Sequence, residues 1–233
     1  MICLRYSGRS HYPATEQPNS SARYHMKLYR YLEKQYVESF FDTGSIMLSS
    51  FARCRSLECA RGDNREGKAN FAVAGKNTTA FGIFNSGLNT QFLCTSRIET
   101  THLMHKFGVD DYFVITRPAH FAQAIAECMA DVKEMHMNDC IYSDNGYETT
   151  SPEPFVDSLP NLADEKSALE WAEWQHSRLS NIIQESLGNR GLFTKRLSYQ
   201  DEAEFRFAWT LSKPADDQVL VPCIDAVRYC KRR

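Results

Sequence analysis

Late in the chain, Tyr199-Gln200-Asp201-Glu202-Ala203-Glu204-Phe205-Arg206 sets two carboxylates two residues apart. Where the backbone is extended, positions i and i+2 project to one face, so Glu202 and Glu204 stand side by side. Paired carboxylates repel, and one can hold its proton to higher pH. Such a pair suits general acid–base work, or stabilisation of positive charge that develops in a transition state. The competing reading is a solvated strand start with Arg206 as ion-pair partner. A second candidate is Arg30, set in the apolar run Lys27-Leu28-Tyr29-Arg30-Tyr31-Leu32. A charge in a core strand needs a partner or a cavity, and a guanidinium fork suits pyrophosphate or carboxylate. On an edge strand it would meet only water. The third candidate is Cys94-Thr95-Ser96-Arg97, whose small hydroxyls can bond backbone or a ligand ribose. Ser96 or Thr100 as the cap of a following helix is the plainer reading there. The fourth is Arg61-Gly62-Asp63-Asn64-Arg65-Glu66-Gly67, a charged stretch whose glycines allow backbone to approach a ligand closely. Its bland alternative is a surface turn with self-compensating charges.

Other chemistries have less behind them. His102 and His105 lie three apart on one helix, but no carboxylate or cysteine completes a metal set. The eight cysteines form no CxxC pair. There is no phosphate-binding glycine loop and no GxSxG elbow. Trp171 and Trp174 read as packing residues of a helix.

Several elements must position these residues. Lys27 to Leu32 reads as a strand, and 33–43 as a helix with Tyr36, Val37, Phe40 and Phe41 at helical spacing. Gly44 ends the helix as a left-handed cap, and 45–51 is the second strand. Strands are expected over 91–95 and 112–116, with a short helix over 99–107 between them. A helix is expected over 118–132, another strand near Ile141 and Tyr142, a long helix over 164–187 and strands over 203–211 and 219–221. In the 203–211 strand, Phe205, Phe207, Trp209 and Leu211 alternate with Glu204, Arg206 and Ala208.

The chain has 233 residues, 42% hydrophobic and 24% charged, with a formal net charge of -2. That fits one globular domain and gives no global electrostatic grip on nucleic acid. Residues 1–25 are polar and read as a flexible leader; 26–233 read as a single domain. No apolar stretch approaches the ~20 residues of a membrane span. No apolar signal core heads the chain, so a cytoplasmic setting with reduced thiols is expected.

Taken in order, Arg30, Ser96 with Thr95, and Glu204 with Glu202 resemble the Arg–Ser–Glu pattern of ADP-ribosyltransferases. Cys94-Thr95-Ser96 is similar to the family's Ser-Thr-Ser motif, with cysteine in the first place. Glu202-Ala203-Glu204 is similar to the Glu-x-Glu motif of its arginine-modifying branch. Arg61 to Gly67 resembles a motif of poorly characterised bacterial proteins that open with a Tyr-Arg-Tyr strand. The resemblance spans about Lys27 to Leu211. It implies an α+β fold of two facing antiparallel sheets with a central cleft, here with a helical insertion over about 118–190. It implies NAD as the substrate and no metal. Arg30 would hold the NAD phosphates, with Tyr29, Thr95, Arg61, Asp63 and Glu66 lining the NAD site. Ser96 would support the nicotinamide ribose. Glu204 would stabilise the oxocarbenium-like transition state, and Glu202 would orient the acceptor. Tyr112, Phe81 and Phe84 are the candidates for stacking on nicotinamide. The implied activity is mono-ADP-ribosyl transfer to a protein or nucleic acid, in a bacterial toxin or phage-defence effector restrained by an antitoxin or immunity protein. NAD glycohydrolase activity and a non-catalytic binding module, with Arg30, Asp63 and Glu66 in a salt-bridge network, are the alternatives.

Overall fold

The structure, a computed structural model, describes residues 26–56, 66–74, 79–144, 147–150 and 190–233. In chain order the first elements are β1 (Leu28–Leu32), α1 (Lys34–Thr43), β2 (Ser45–Ser50) and α2 (Phe51–Ser56). Then come β3 (Lys68–Ala74), β4 (Thr79–Asn85), β5 (Thr90–Ser96), α3 (Thr101–Phe107), β6 (Asp111–Ile115) and α4 (Pro118–Cys128). The rest are β7 (Val132–Asp139), β8 (Ile141–Tyr142), β9 (Tyr147–Thr150), β10 (Thr194–Lys195), β11 (Glu204–Leu211), β12 (Gln218–Pro222), α5 (Ile224–Val227) and β13 (Cys230–Arg232). The fold is α+β. The expected long helix at 164–187 and its Trp171 and Trp174 lie outside the described residues, as do the leader and the loop that carries Arg61 and Asp63.

Eight strands form one antiparallel sheet around β5. One edge of β5 pairs with β11 along its whole length, and β7 pairs with the far side of β11. The other edge of β5 is forked. Its Ser96 end meets β1 through Tyr29, and its Gln91 end meets β2 through Ser50 and Ser49. From β1 the sheet continues through β6 to β13, and from β2 to β12. Two smaller sheets join β4, β3 and β9, and β10 with β8.

Strand alternation sorts the large sheet into two faces. Leu28, Leu93, Phe113, Ile115, Phe205, Phe207 and Trp209 lie on one, packed under Val37 and Phe40 of α1 and Phe121, Ala122 and Ile125 of α4. Phe40 stacks on Phe113 with centroids 4.5 Å apart, and the Trp209 indole N–H donates to the Ala122 carbonyl at 3.1 Å. The other face carries Tyr29, Tyr31 and Tyr112 under α3, and beside them Ser96, Glu204 and Arg206.

α1 forms because its apolar positions recur at helical spacing, and it stops at Gly44, whose φ of 72° lets its N–H reach the Phe40 carbonyl at 2.8 Å. A Cβ at Gly44 would stand 2.3 Å from Ile224 Cα. Gly44→Ala should therefore cost about 1–2 kcal/mol for the left-handed backbone and a further ~1–3 kcal/mol for overpacking against α5. A loss of unfolding free energy from denaturant titration no larger than the first of these would contradict the packing cost.

The helix expected over 118–132 ends early, at Cys128. Asp131 turns the chain at φ 62° and Val132 opens β7. The alternation through Met135 and Met137 is weak because β7 is an outer strand, paired in the large sheet to β11 alone. The described part of 118–190 is thus one helix and three strands, with a 3-10 turn opening at Arg190. The three terminal residues, Lys231 to Arg233, are not idle either: Cys230–Arg232 pairs with β6.

Candidate functional site

Three of the sequence candidates meet in backbone register. Ser96 opposes Tyr29 across β1–β5 and Glu204 across β5–β11, so Tyr29, Ser96 and Glu204 share one face in adjacent strands. Ser96 is buried, and its hydroxyl donates to the Glu202 carbonyl at 2.7 Å and accepts the Ile98 N–H at 3.1 Å. Thr95, on the opposite face, donates to the Phe205 carbonyl at 2.8 Å. The helix cap beyond them is Thr100, which accepts from the His102 N–H.

Arg30 sits differently. It alternates with Tyr29 and Tyr31, opposes Phe113 and begins on the face packed by α1 and α4. Its guanidinium donates to the Cys94 carbonyl at 2.7 Å, at the fork where β1 and β2 part from β5. Arg30 is therefore neither an edge residue in water nor a side chain on the Ser96–Glu204 face. Tyr112 is on that face, but its ring is buried against Tyr29 and Tyr31, and its hydroxyl is bound by Glu99. Burial and the Glu99 carboxylate push that hydroxyl up to about 12. The side chains of Phe81 and Phe84, like Arg61 and Asp63, lie outside the described residues.

Glu202 and Glu204 converge, though not by strand alternation. Glu202 ends a 3-10 turn, Leu197–Glu202, and Ala203 bends the chain at φ 42° before Glu204 opens β11. The bend is held by Ala203, which donates to the Gln200 carbonyl and accepts from the Arg97 N–H. A left-handed alanine costs about 1–2 kcal/mol, and glycine in its place gives back ~0.5–1 kcal/mol in chain entropy. Ala203→Gly should accordingly raise stability by roughly 0.5–1 kcal/mol. Thermal unfolding reads this directly; a fall would mean that the alanine methyl packs usefully.

What brings the carboxylates together is a cation missed in the sequence. Lys195 Nζ donates to Glu202 Oε2 and Glu204 Oε2, each at 2.6 Å. The other oxygen of Glu204 takes Arg206 Nε at 2.8 Å, and Arg206 reaches Glu66 Oε1 at 3.1 Å. Arg206 also donates to the Leu192 carbonyl and lies against the stacked rings of Phe51 and Phe92, 5.4 and 5.0 Å from their centroids. Outward from Glu202 the network continues through Lys106 (3.1 Å) to Asp201, which also binds His102. The result is a line of alternating charges from Asp201 to buried Glu66, with exposed His102 hydrogen-bonded at its outer end. Lys195, Glu202, Glu204 and Glu66 are all buried, and Arg206 is wholly so. Burial alone would raise the Glu204 carboxyl, but Arg206 and Lys195 outweigh it and hold the group well below the ordinary carboxylate range. Lys195 is raised for the reciprocal reason: its loss of water is more than offset by Glu204, Glu66 and Glu202. The backbone of Glu204 is pinned by the Tyr142 hydroxyl, which accepts its N–H at 2.6 Å, and by Cys140, whose N–H donates to its carbonyl.

Arg206 carried a readable signal. It is a charge inside the apolar run Phe205 to Leu211, the same irregularity that singled out Arg30. Lys195, in Leu192-Phe193-Thr194-Lys195, carried none. Among the described residues no group of three or more His, Cys, Asp or Glu is arranged to hold a metal ion. Among the described residues, no helix is long and apolar enough to cross a membrane. No model of a protein family, no curated protein and no solved structure matches this chain.

Proposed function

We propose that this chain is a mono-ADP-ribosyltransferase that moves ADP-ribose from NAD to a macromolecular acceptor, protein or nucleic acid. The supporting observation is the register Tyr29–Ser96–Glu204, which sets the serine and glutamate of the motif side by side on adjacent strands. On this reading the NAD glycosidic bond breaks with its electron pair leaving on neutral nicotinamide. The carboxylate of Glu204 opposes the cation that develops on the ribose, held in place beforehand by its two cationic partners. An acceptor nucleophile then bonds to the same carbon and releases its proton, with Glu202 aligning the acceptor. Arg30 starts from the opposite face of the sheet, so on this reading its guanidinium would leave the Cys94 carbonyl and reach the phosphates through the fork between β1 and β2. Ser96 would fix the backbone of Glu202 against the ribose. A toxin or phage-defence setting, with a restraining antitoxin or immunity protein, belongs to the same proposal.

A second reading is favoured by a separate fact. Both oxygens of Glu204 are taken by Arg206 and Lys195 in a buried network, which is also how a structural ion cluster in a non-catalytic module would look. Incubation with labelled NAD and lysate separates the readings. Label on macromolecules, removed by protease or by nuclease, supports the transferase and identifies the acceptor class. Free ADP-ribose alone means glycohydrolase. Intact NAD after prolonged incubation would sink both and leave the structural cluster.

A further inference from the structure

We propose that Lys195 is the positioning residue of this site: its single ammonium holds Glu202 and Glu204 as one aimed pair, so that the reaction depends on a side chain assigned no contact with NAD or acceptor. The inference rests on the transferase reading for its role and on geometry for its existence. Glu202 and Glu204 are separated by a left-handed alanine and belong to different elements, a 3-10 turn and a strand. Nothing in the local backbone therefore makes their carboxylates share a partner; Lys195, from β10, does so with 2.6 Å contacts to each.

The charge balance of the pocket shows why this cation matters. Buried there are three carboxylates, Glu66, Glu202 and Glu204, and two cations, Lys195 and Arg206. Glu204 also faces Arg206, and Glu202 faces Lys106, which it shares with Asp201. The ring of Tyr199 lies against the Lys195 ammonium at 4.7 Å, and the Tyr142 hydroxyl meets the Glu204 backbone. The thiols of Cys54, Cys94 and Cys140 lie near the same charges, each held protonated by burial first. None of these groups can replace a cation between the two glutamates. Without Lys195, two buried like charges face one another; one protonates or they swing apart, and either outcome spoils a fixed negative charge at the ribose.

The test uses the full chain and two readouts. Wild type, Lys195→Met, Glu202→Gln and the double variant Lys195→Met/Glu202→Gln are labelled with carbon-13 at the glutamate side-chain carboxyls and titrated by NMR. In wild type the Glu204 signal should stay ionised throughout the acid range in which the protein is folded. In Lys195→Met one of the two signals should titrate above the ordinary carboxylate range. Should Lys195→Met not fold, the double variant, which removes one charge of each sign, takes its place. There kcat for NAD turnover should fall about 10²-fold below that of Glu202→Gln alone, with little change in KM, because Glu204 is now free to turn on Arg206. Equal kcat and an equal acid limb in those two proteins would overturn the proposal, as would unchanged titration in Lys195→Met. If no variant and no wild type turns over NAD, the transferase reading fails, while the titration still decides whether Lys195 joins the pair.

Discussion

Arg206→Met should destabilise the fold by about 3–5 kcal/mol, read as a lower denaturant midpoint at unchanged slope. The guanidinium is fully buried against the stacked pair Phe51 and Phe92 and serves Glu66, Glu204 and the Leu192 carbonyl. Methionine fills much of the space, so the loss is electrostatic: Glu66, Glu202 and Glu204 remain in a dry site with Lys195 as the one buried cation among the described residues. The effect should be non-additive. Adding Glu66→Gln to Arg206→Met should recover part of the loss, since one uncompensated charge has gone. Acid dependence follows with a definite sign. The folded pKa of Glu204 is depressed, so its stabilisation is complete above the unfolded value of about 4.3 and is lost as pH falls through the acid range below it. With Arg206 gone, Glu204 binds its proton more readily in the folded state. The Arg206→Met protein should therefore lose less of its remaining stability on acidification than wild type does. A steeper acid loss in the variant would show that other carboxylates govern the wild-type curve.

Glu204→Gln should lower NAD turnover by about 10²–10³-fold. The amide keeps the shape of the carboxylate and can still accept from Arg206, but it carries no charge to oppose a ribosyl cation. The change also leaves Arg206 and Lys195 with one counter-charge fewer, so the melting temperature will fall as well. The two effects separate by measuring turnover well below the melting point of the variant. Undiminished NAD turnover there would remove Glu204 from the chemistry and leave it as part of a structural network. A lowered melting point in a protein that never acted on NAD would point the same way.

The strand–helix–strand unit of β1, α1 and β2 was legible because it is local: helical spacing, then a glycine that only a left-handed turn explains. Strand β11 was legible for the same reason, from its alternating aromatics. Strand β7 was not, because Val132 to Asp139 is half-solvated and polar and owes its conformation to pairing with β11. Glu202 and Glu204 were rightly seen as a pair but for a reason that fails in the folded chain, where Ala203 breaks the extended backbone between them.

By itself, then, the sequence determined which segments become strands and helices wherever apolar period and turn chemistry act within a few residues, and which residue types were available for chemistry. Tertiary structure alone decided which of them meet. The pairing of Ser96 with Glu204 spans 108 positions and depends on sheet register. The fork that sends Arg30 to the Cys94 carbonyl depends on two strands sharing one edge of β5. The place of Lys195 between two glutamates depends on burial, which makes an ordinary lysine indispensable because three carboxylates without water around them need a cation. Such relations rest on long-range packing and desolvation, neither of which leaves a mark at any single position of the chain.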